Sequence, residues 1–199
     1  MMRLALFASG GGTNLQAILD ACNSGEIDAR PVVVIGNNSK AAAMQRAAKA
    51  GVPIVHLSSV THPDPADLDD AMLKTLVLHE VDLIALAGYV KQLGPKVITA
   101  YRNRVLNIHP APIPEFGGPG MYGLKVHETV LQSGTATSGP VVHLVDEEYD
   151  HGDVVATATV PVLADDTAET LQARVRDAEF PLYVGTLRRI ASGELVLPD

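Results

Sequence analysis

Leu4-Ala5-Leu6-Phe7-Ala8 runs directly into Ser9-Gly10-Gly11-Gly12-Thr13-Asn14, and Leu15, Ile18 and Leu19 follow at helical spacing. Five apolar residues in a row, halted by glycines, read as a buried strand. Asn14 to Cys22 reads as the helix behind it, with its apolar positions on one face. The alternation then repeats. Pro31-Val32-Val33-Val34-Ile35 is a second strand, and Lys40 to Ala50 an alanine-rich helix stopped by Gly51. Pro53 to Leu57 is a short third strand, Pro65 to His79 a helix with Leu68, Met72 and Leu76 in phase, and Val81 to Ala87 a fourth strand. Continuous apolar strands between helices belong to a parallel sheet covered on both faces.

Beyond Arg104-Val105-Leu106-Asn107 the texture changes. Pro110, Pro112, Pro114, Gly117, Gly118, Pro119, Gly120 and Gly123 crowd a stretch that regular structure does not tolerate. Long irregular loops inside compact domains are usually functional. Two late strands follow, near Val141 to Val145 and Val154 to Val160, then a long helix from about Thr167 to Ala191. The short link between those strands favours antiparallel pairing, hence a mixed sheet edge. No repeat, low-complexity tract or linker interrupts residues 1–199, which read as a single domain.

Composition narrows the class. With 47% hydrophobic and 19% charged residues the chain has material for a real core. The formal net charge of -8 supplies no general attraction for nucleic acid, so any anion-binding potential is local. One cysteine, Cys22, allows neither an intrachain disulfide nor a cysteine zinc cluster. The apolar run at the N-terminus is too short for a membrane span. A reducing, cytoplasmic setting with small-molecule partners, and neither membrane nor nucleic acid, is the expectation.

The glycine turn opens a helix, where unpaired amides and the helix dipole favour an anion. A nucleotide phosphate loop would need Gly-Lys-Ser/Thr, which is absent. A dinucleotide fingerprint would need a glycine at Leu15 and an acidic residue closing the second strand, where Gly36-Asn37-Asn38 stands. A monophosphate therefore fits better than NAD. At the tip of a further strand, Asn107 and His109 alternate onto one face of Asn107-Ile108-His109-Pro110. An amide and an imidazole so placed can both donate to a developing oxyanion. The acidic turn Asp146-Glu147-Glu148-Tyr149-Asp150-His151-Gly152-Asp153 offers a carboxylate that would favour the imidazolium if it met His109.

These residues resemble the phosphoribosylglycinamide formyltransferases, within the folate-dependent formyltransferase family, over almost the whole chain. The carriers are Ser9 to Gln16, Leu86-Ala87-Gly88-Tyr89, Leu106 to Pro110, Ile113-Pro114, Val142-His143-Leu144-Val145, the Asp146 to Gly152 turn, and Arg174-Val175 leading to Glu179. The resemblance implies a single-domain Rossmann-like α/β formyltransferase fold: a mostly parallel central sheet, an antiparallel C-terminal edge and helices on both faces. Residues 1–100 would form a phosphate and ribotide half, and 101–199 a catalytic and folate-binding half. It further implies that Asn107, His109 and Asp150 form the catalytic trio. Gly12, Thr13 and Asn14 would hold the ribotide phosphate, with Arg176, Asp177, Ala178 and Glu179 contacting the rest, Arg176 as the nearby cation. Tyr89, Val90, Lys91, Gln92 and Leu93 would line the pterin slot together with Asn107, Asp146, Glu147, Glu148, Tyr149 and Asp150. The implied co-substrate is 10-formyltetrahydrofolate, the acceptor N1-(5-phosphoribosyl)glycinamide, no metal is required, and the protein would be a monomer or homodimer.

Three departures from better-known members stand out: the extra residues Phe116 to Gly123, Pro65 where many members have an arginine, and Ser138-Gly139-Pro140 in place of His-Gly-Thr. None removes a member of the trio. The rival readings are a 10-formyltetrahydrofolate hydrolase, which uses the same trio but carries an extra N-terminal domain, and a methionyl-tRNA formyltransferase, which would need a C-terminal domain and a basic surface. A non-catalytic nucleotide-binding module leaves Asn107 and His109 unexplained.

Overall fold

The computed structural model describes residues 1–198. Its elements in chain order are β1 (Met2–Ala8), α1 (Thr13–Asn23), β2 (Ala29–Gly36), α2 (Ala42–Lys49), β3 (Ile54–His56) and α3 (Pro65–Leu78). Then come β4 (Leu83–Leu86), α4 (Pro95–Ala100), β5 (Val105–His109), α5 (Leu124–Ser133), β6 (Thr137–Ser138) and β7 (Val141–Leu144). The chain closes with β8 (Val154–Thr157), β9 (Val160–Pro161) and α6 (Ala168–Ala191). Seven strands form one sheet in the order β3-β2-β1-β4-β5-β7-β8. The strands from β3 to β5 pair in parallel, and β7 and β8 add the antiparallel edge. This is the mixed α/β architecture expected from the sequence.

Strict alternation along the strands divides the core in two. Leu4, Leu6, Val34, Leu83, Ala85, Leu106 and Ile108 turn to one face, under α1, α2 and α6. Ala5, Phe7, Val33, Ile35, Ile84, Leu86 and Val105 turn to the other, under α3 and α4. Each fully buried valine, leucine, isoleucine or phenylalanine among them contributes about 1.5–3 kcal/mol. Asn107 and His109 follow Val105 in phase, as the alternation predicts. Fully buried Tyr183 of α6 pins the sheet from the first face, its hydroxyl lying 3.2 Å from the Leu86 carbonyl oxygen and 3.1 Å from that of Leu106.

Three features differ from the sequence reading. The single late strand expected from Val154 to Val160 is two: β8 pairs with β7, whereas β9 pairs with β6 in a separate two-stranded sheet. The break follows from Gly139, whose backbone meets the Ala158 carbonyl so closely that no side chain fits between them. Helix α4 was not legible. Its N-terminal amides, Lys96 and Val97, are taken by the buried carboxylate of Asp69 at 2.8 and 3.2 Å, a cap supplied from α3. Helix α5 was likewise not read from the sequence: it begins at Leu124, directly after Gly123, the last glycine of the irregular stretch, and Gly134, at φ 70°, terminates it. No helix among the described residues is long and apolar enough to cross a membrane.

Candidate active site

The sheet order reverses around β1, with β2 on one side and β4 on the other. In open α/β sheets ligands bind beyond the carboxyl ends of strands at such a point. A cleft of about 470 Å³ opens there, bordered by Asn14 after β1, Leu86 and Gly88 after β4, and Asn107 and His109 at the end of β5. Its volume lies in the range of small-molecule sites.

Asn107, His109 and Asp150 all meet in this cleft. The Asp150 side chain is only 10% exposed, and its two oxygens face different donors. Oδ1 lies 3.4 Å from Asn107 Nδ2, and Oδ2 lies 3.4 Å from His109 Nδ1. Oδ2 also accepts the Gly118 amide at 3.0 Å. Burial alone would raise the Asp150 carboxyl pKa, but the hydrogen bond and positive charge of His109 and the Gly118 amide hold it well below the usual carboxylate range. Asp150 is therefore an anion at neutral pH.

His109 has acceptors on both sides. Its Nε2 lies 2.8 Å from the Phe116 carbonyl oxygen, which can only accept, so Nε2 carries a hydrogen. Its Nδ1 faces the Asp150 carboxylate. A ring with an acceptor at each nitrogen is satisfied only when both are protonated, and Nδ1 is then the donor on the cleft side. Buried His127 on α5 responds to the same charge: burial and then the positive His109 bring its pKa down to about 4.

Two contributors escaped the sequence reading. His143 pairs directly across the β5–β7 ladder from Asn107. Its Nδ1 donates to the Leu144 carbonyl at 2.8 Å, leaving Nε2 to accept Asn107 Nδ2 at 3.1 Å. The amide of Asn107 is thereby oriented with its donors toward the cleft carboxylate. A lone histidine in the apolar run Val141–Val145 was the available signal. The second is the Phe116–Gly118 backbone, which holds both ends of the His109–Asp150 pair. Between them Gly117 has no room for a side chain: a Cβ would stand 2.8 Å from Asp150 Cβ and 3.0 Å from Ile113 Cγ2.

Beside the glycine turn, Asn14 Nδ2 donates to Glu179 Oε2 at 2.7 Å, and Asn14 Oδ1 is buried with no partner among the described residues. Burial pushes the Glu179 carboxyl pKa up against the opposing pull of Asn14, Arg176 and His109. Asn14 and Glu179 border the cleft, whereas Gly12, Thr13, Arg176, Asp177 and Ala178 stand behind its rim. Ala178 packs against a small apolar cluster of α5 and α6, and Arg176 and Asp177 are exposed. Gly12 is left-handed at φ 71° and precedes α1, whose first turn has no side-chain cap. Arg174 is bound to Asp166 at 2.6 Å and braces the start of α6.

Opposite, Tyr89 to Leu93 form one wall, and Asp146, Glu148, Tyr149 and Asp150 the other, with Gly118 to Gly123 along the rim. Gln92 Nε2 joins the walls by donating to the Glu147 carbonyl at 2.6 Å, while Glu147 itself lies outside the cleft. Tyr89 packs edge-on to Phe7 at 5.3 Å, and burial, then Tyr149, push its hydroxyl pKa up to about 12. At the mouth, Val90, Tyr122 and Tyr149 are exposed, giving an apolar rim around a polar floor.

Residues 2–187 match the family described as formyl transferase. The phosphoribosylglycinamide formyltransferase of Haemophilus influenzae is 37% identical over 199 residues, covering 100% of this chain and 92% of its own length. The chloroplastic phosphoribosylglycinamide formyltransferase of Vigna unguiculata is 40% identical over 98% of this chain, which spans 62% of that relative's length. Among solved structures, glycinamide ribonucleotide transformylase 1 from Symbiobacterium toebii superposes with a TM-score of 0.92 at 38% identity, over 100% of this chain and 91% of the other.

Proposed function

The chain belongs to the formyl transferase family, and from that premise we propose that it transfers the formyl group of 10-formyltetrahydrofolate to the amine of N1-(5-phosphoribosyl)glycinamide. The products are formylglycinamide ribonucleotide and tetrahydrofolate, a step of purine biosynthesis. The observation that carries this reading is the cluster of Asn107 and His109 on one strand face with the Asp150 carboxylate across them.

In this reading the neutral amine attacks the formyl carbon and negative charge grows on the formyl oxygen. Asn107 Nδ2 and His109 Nδ1 are the donors that meet it, each displacing a long contact of 3.4 Å to Asp150. Pre-aimed donors of this kind typically contribute about 2.7–4 kcal/mol each. Asp150 keeps His109 doubly protonated, and the Phe116 carbonyl ensures that the ring presents Nδ1 rather than Nε2. Proton transfer from the attacking amine to the folate nitrogen, through water or Asp150, completes the exchange.

The ribotide phosphate would sit at the amides of Gly12, Thr13 and Asn14, and Glu179 with Asn14 Oδ1, which has no partner among the described residues, would face the acceptor between phosphate and amine. The folate ring belongs between the Tyr89–Leu93 and Asp146–Tyr149 walls. The deciding experiment follows loss of 10-formyltetrahydrofolate with and without glycinamide ribonucleotide. Consumption that requires the ribotide and yields formylated ribotide is expected; equal consumption without it would assign a hydrolase instead.

A further inference from the structure

The glycine turn has an asymmetry that its own sequence does not explain. The Gly10 carbonyl accepts the Ala43 amide at 3.0 Å, the Gly11 carbonyl accepts Arg46 Nε at 2.9 Å, and the Gly12 carbonyl accepts the Gln16 amide at 2.9 Å. All three oxygens are thus drawn away into α1 and α2. The amides of Gly10 to Asn14 make no hydrogen bond to the described residues. An anion meets donors there only if those carbonyls stay turned out, because a flipped peptide would present an oxygen to it.

Two of the three restraints are backbone contacts, and the third is the side chain of Arg46. Helix α2 has no side-chain cap of its own, so the Gly10 carbonyl serves as its cap at Ala43. Helix and turn are pressed together: a Cβ on Gly12 would stand 2.7 Å from Ala43 Cα and Cβ. Arg46, one turn further along α2, closes the contact with Nε on Gly11 and Nη1 on Gln16 Oε1 at 3.3 Å. It also brings a positive charge to the turn in a chain whose formal net charge is -8.

We propose that Arg46 is a positioning residue for the acceptor's phosphate: it holds the Gly11 peptide with its carbonyl outward and adds local positive potential to the turn. This deepens the functional reading above and rests on it for the identity of the phosphorylated ligand. Arg46 does not touch the reacting atoms, so its removal changes affinity for the phosphorylated substrate and spares the chemical step.

The test compares wild type, Arg46→Met and Arg46→Lys in steady-state kinetics with both substrates. Calorimetric titration with ribose 5-phosphate and thermal melts complete the comparison. Arg46→Met is expected to raise the ribotide KM and the ribose 5-phosphate Kd at least tenfold, with kcat and the folate KM within twofold. Arg46→Lys restores the charge but not the Nε–H geometry, and is expected to raise the ribotide KM about threefold. It also keeps the test readable if the Met variant folds poorly. A ribotide KM within twofold of wild type in the Met variant, or an equal rise in both KM values with a lower melting temperature, overturns the proposal. If wild type shows no ribotide-dependent turnover, the functional reading fails by itself, and the ribose 5-phosphate titrations still decide Arg46: undiminished binding in Arg46→Met, or none in wild type, overturns it.

Discussion

Asp150→Asn isolates the charge of the candidate trio while keeping its shape. In the wild type, Asp150 Oδ2 faces both the Gly118 amide and His109 Nδ1, at 3.0 and 3.4 Å. An asparagine can keep its oxygen toward Gly118, but its NH2 then replaces Oδ1, 3.4 Å from the donor Nδ2 of Asn107. The negative charge that makes double protonation of His109 favourable is gone. Since the Phe116 carbonyl, 2.8 Å from Nε2, requires a hydrogen there, the proton that leaves is the one on Nδ1. A neutral ring so oriented presents a lone pair to the developing oxyanion. The reaction loses one donor outright, about 2.7–4 kcal/mol or roughly 10²–10³-fold in kcat. Turnover at saturating concentrations of both substrates measures this, with circular dichroism to confirm the fold. The ribotide KM is expected to stay within threefold, because no phosphate contact changes. A kcat within threefold of wild type would refute the role assigned to Asp150 and the tautomer argument behind it.

Gly117→Ala places a Cβ 2.8 Å from that of Asp150. Overpacking of this kind costs about 1–3 kcal/mol, so a roughly tenfold lower kcat with the secondary structure retained is expected, and wild-type turnover would remove the Phe116–Gly118 clamp from the mechanism. Glu179 has a carboxyl pKa raised by burial, so its contribution to stability is full below the ordinary carboxyl range and is lost as pH rises through the raised value. Glu179→Gln is therefore expected to raise the melting temperature at pH 7.5, by about 2–4 °C for each kcal/mol relieved, while weakening the ribotide KM tenfold. A lowered melting temperature would contradict this. His127, with its pKa brought down to about 4, resists the proton that the unfolded chain accepts near 6.5. Stability should fall as pH drops from 6.5 toward 4, by up to about 3 kcal/mol, and denaturant titrations of His127→Leu across that window should show a correspondingly flatter profile.

Residue chemistry and spacing, read directly, determined much of this protein. The apolar runs at Leu4–Ala8, Val32–Ile35 and Val81–Ala87 with intervening helical phase dictate a parallel sheet with two covered faces, since only that arrangement buries a strand on both sides. Asn107 and His109 were legible as a pair because alternation along a strand is local geometry. Tertiary structure alone decided which partners complete them. The antiparallel register of β7 brings His143 opposite Asn107, and the folded loop aims the Phe116 carbonyl and the Gly118 amide at His109 and Asp150. Helix α2 likewise draws the Gly10 and Gly11 carbonyls toward itself through the Ala43 amide and Arg46 Nε. The physical reason is common to all three. Backbone donors and acceptors are nearly the same at every residue, so sequence does not mark which ones will serve a site; the packing of distant segments makes that selection.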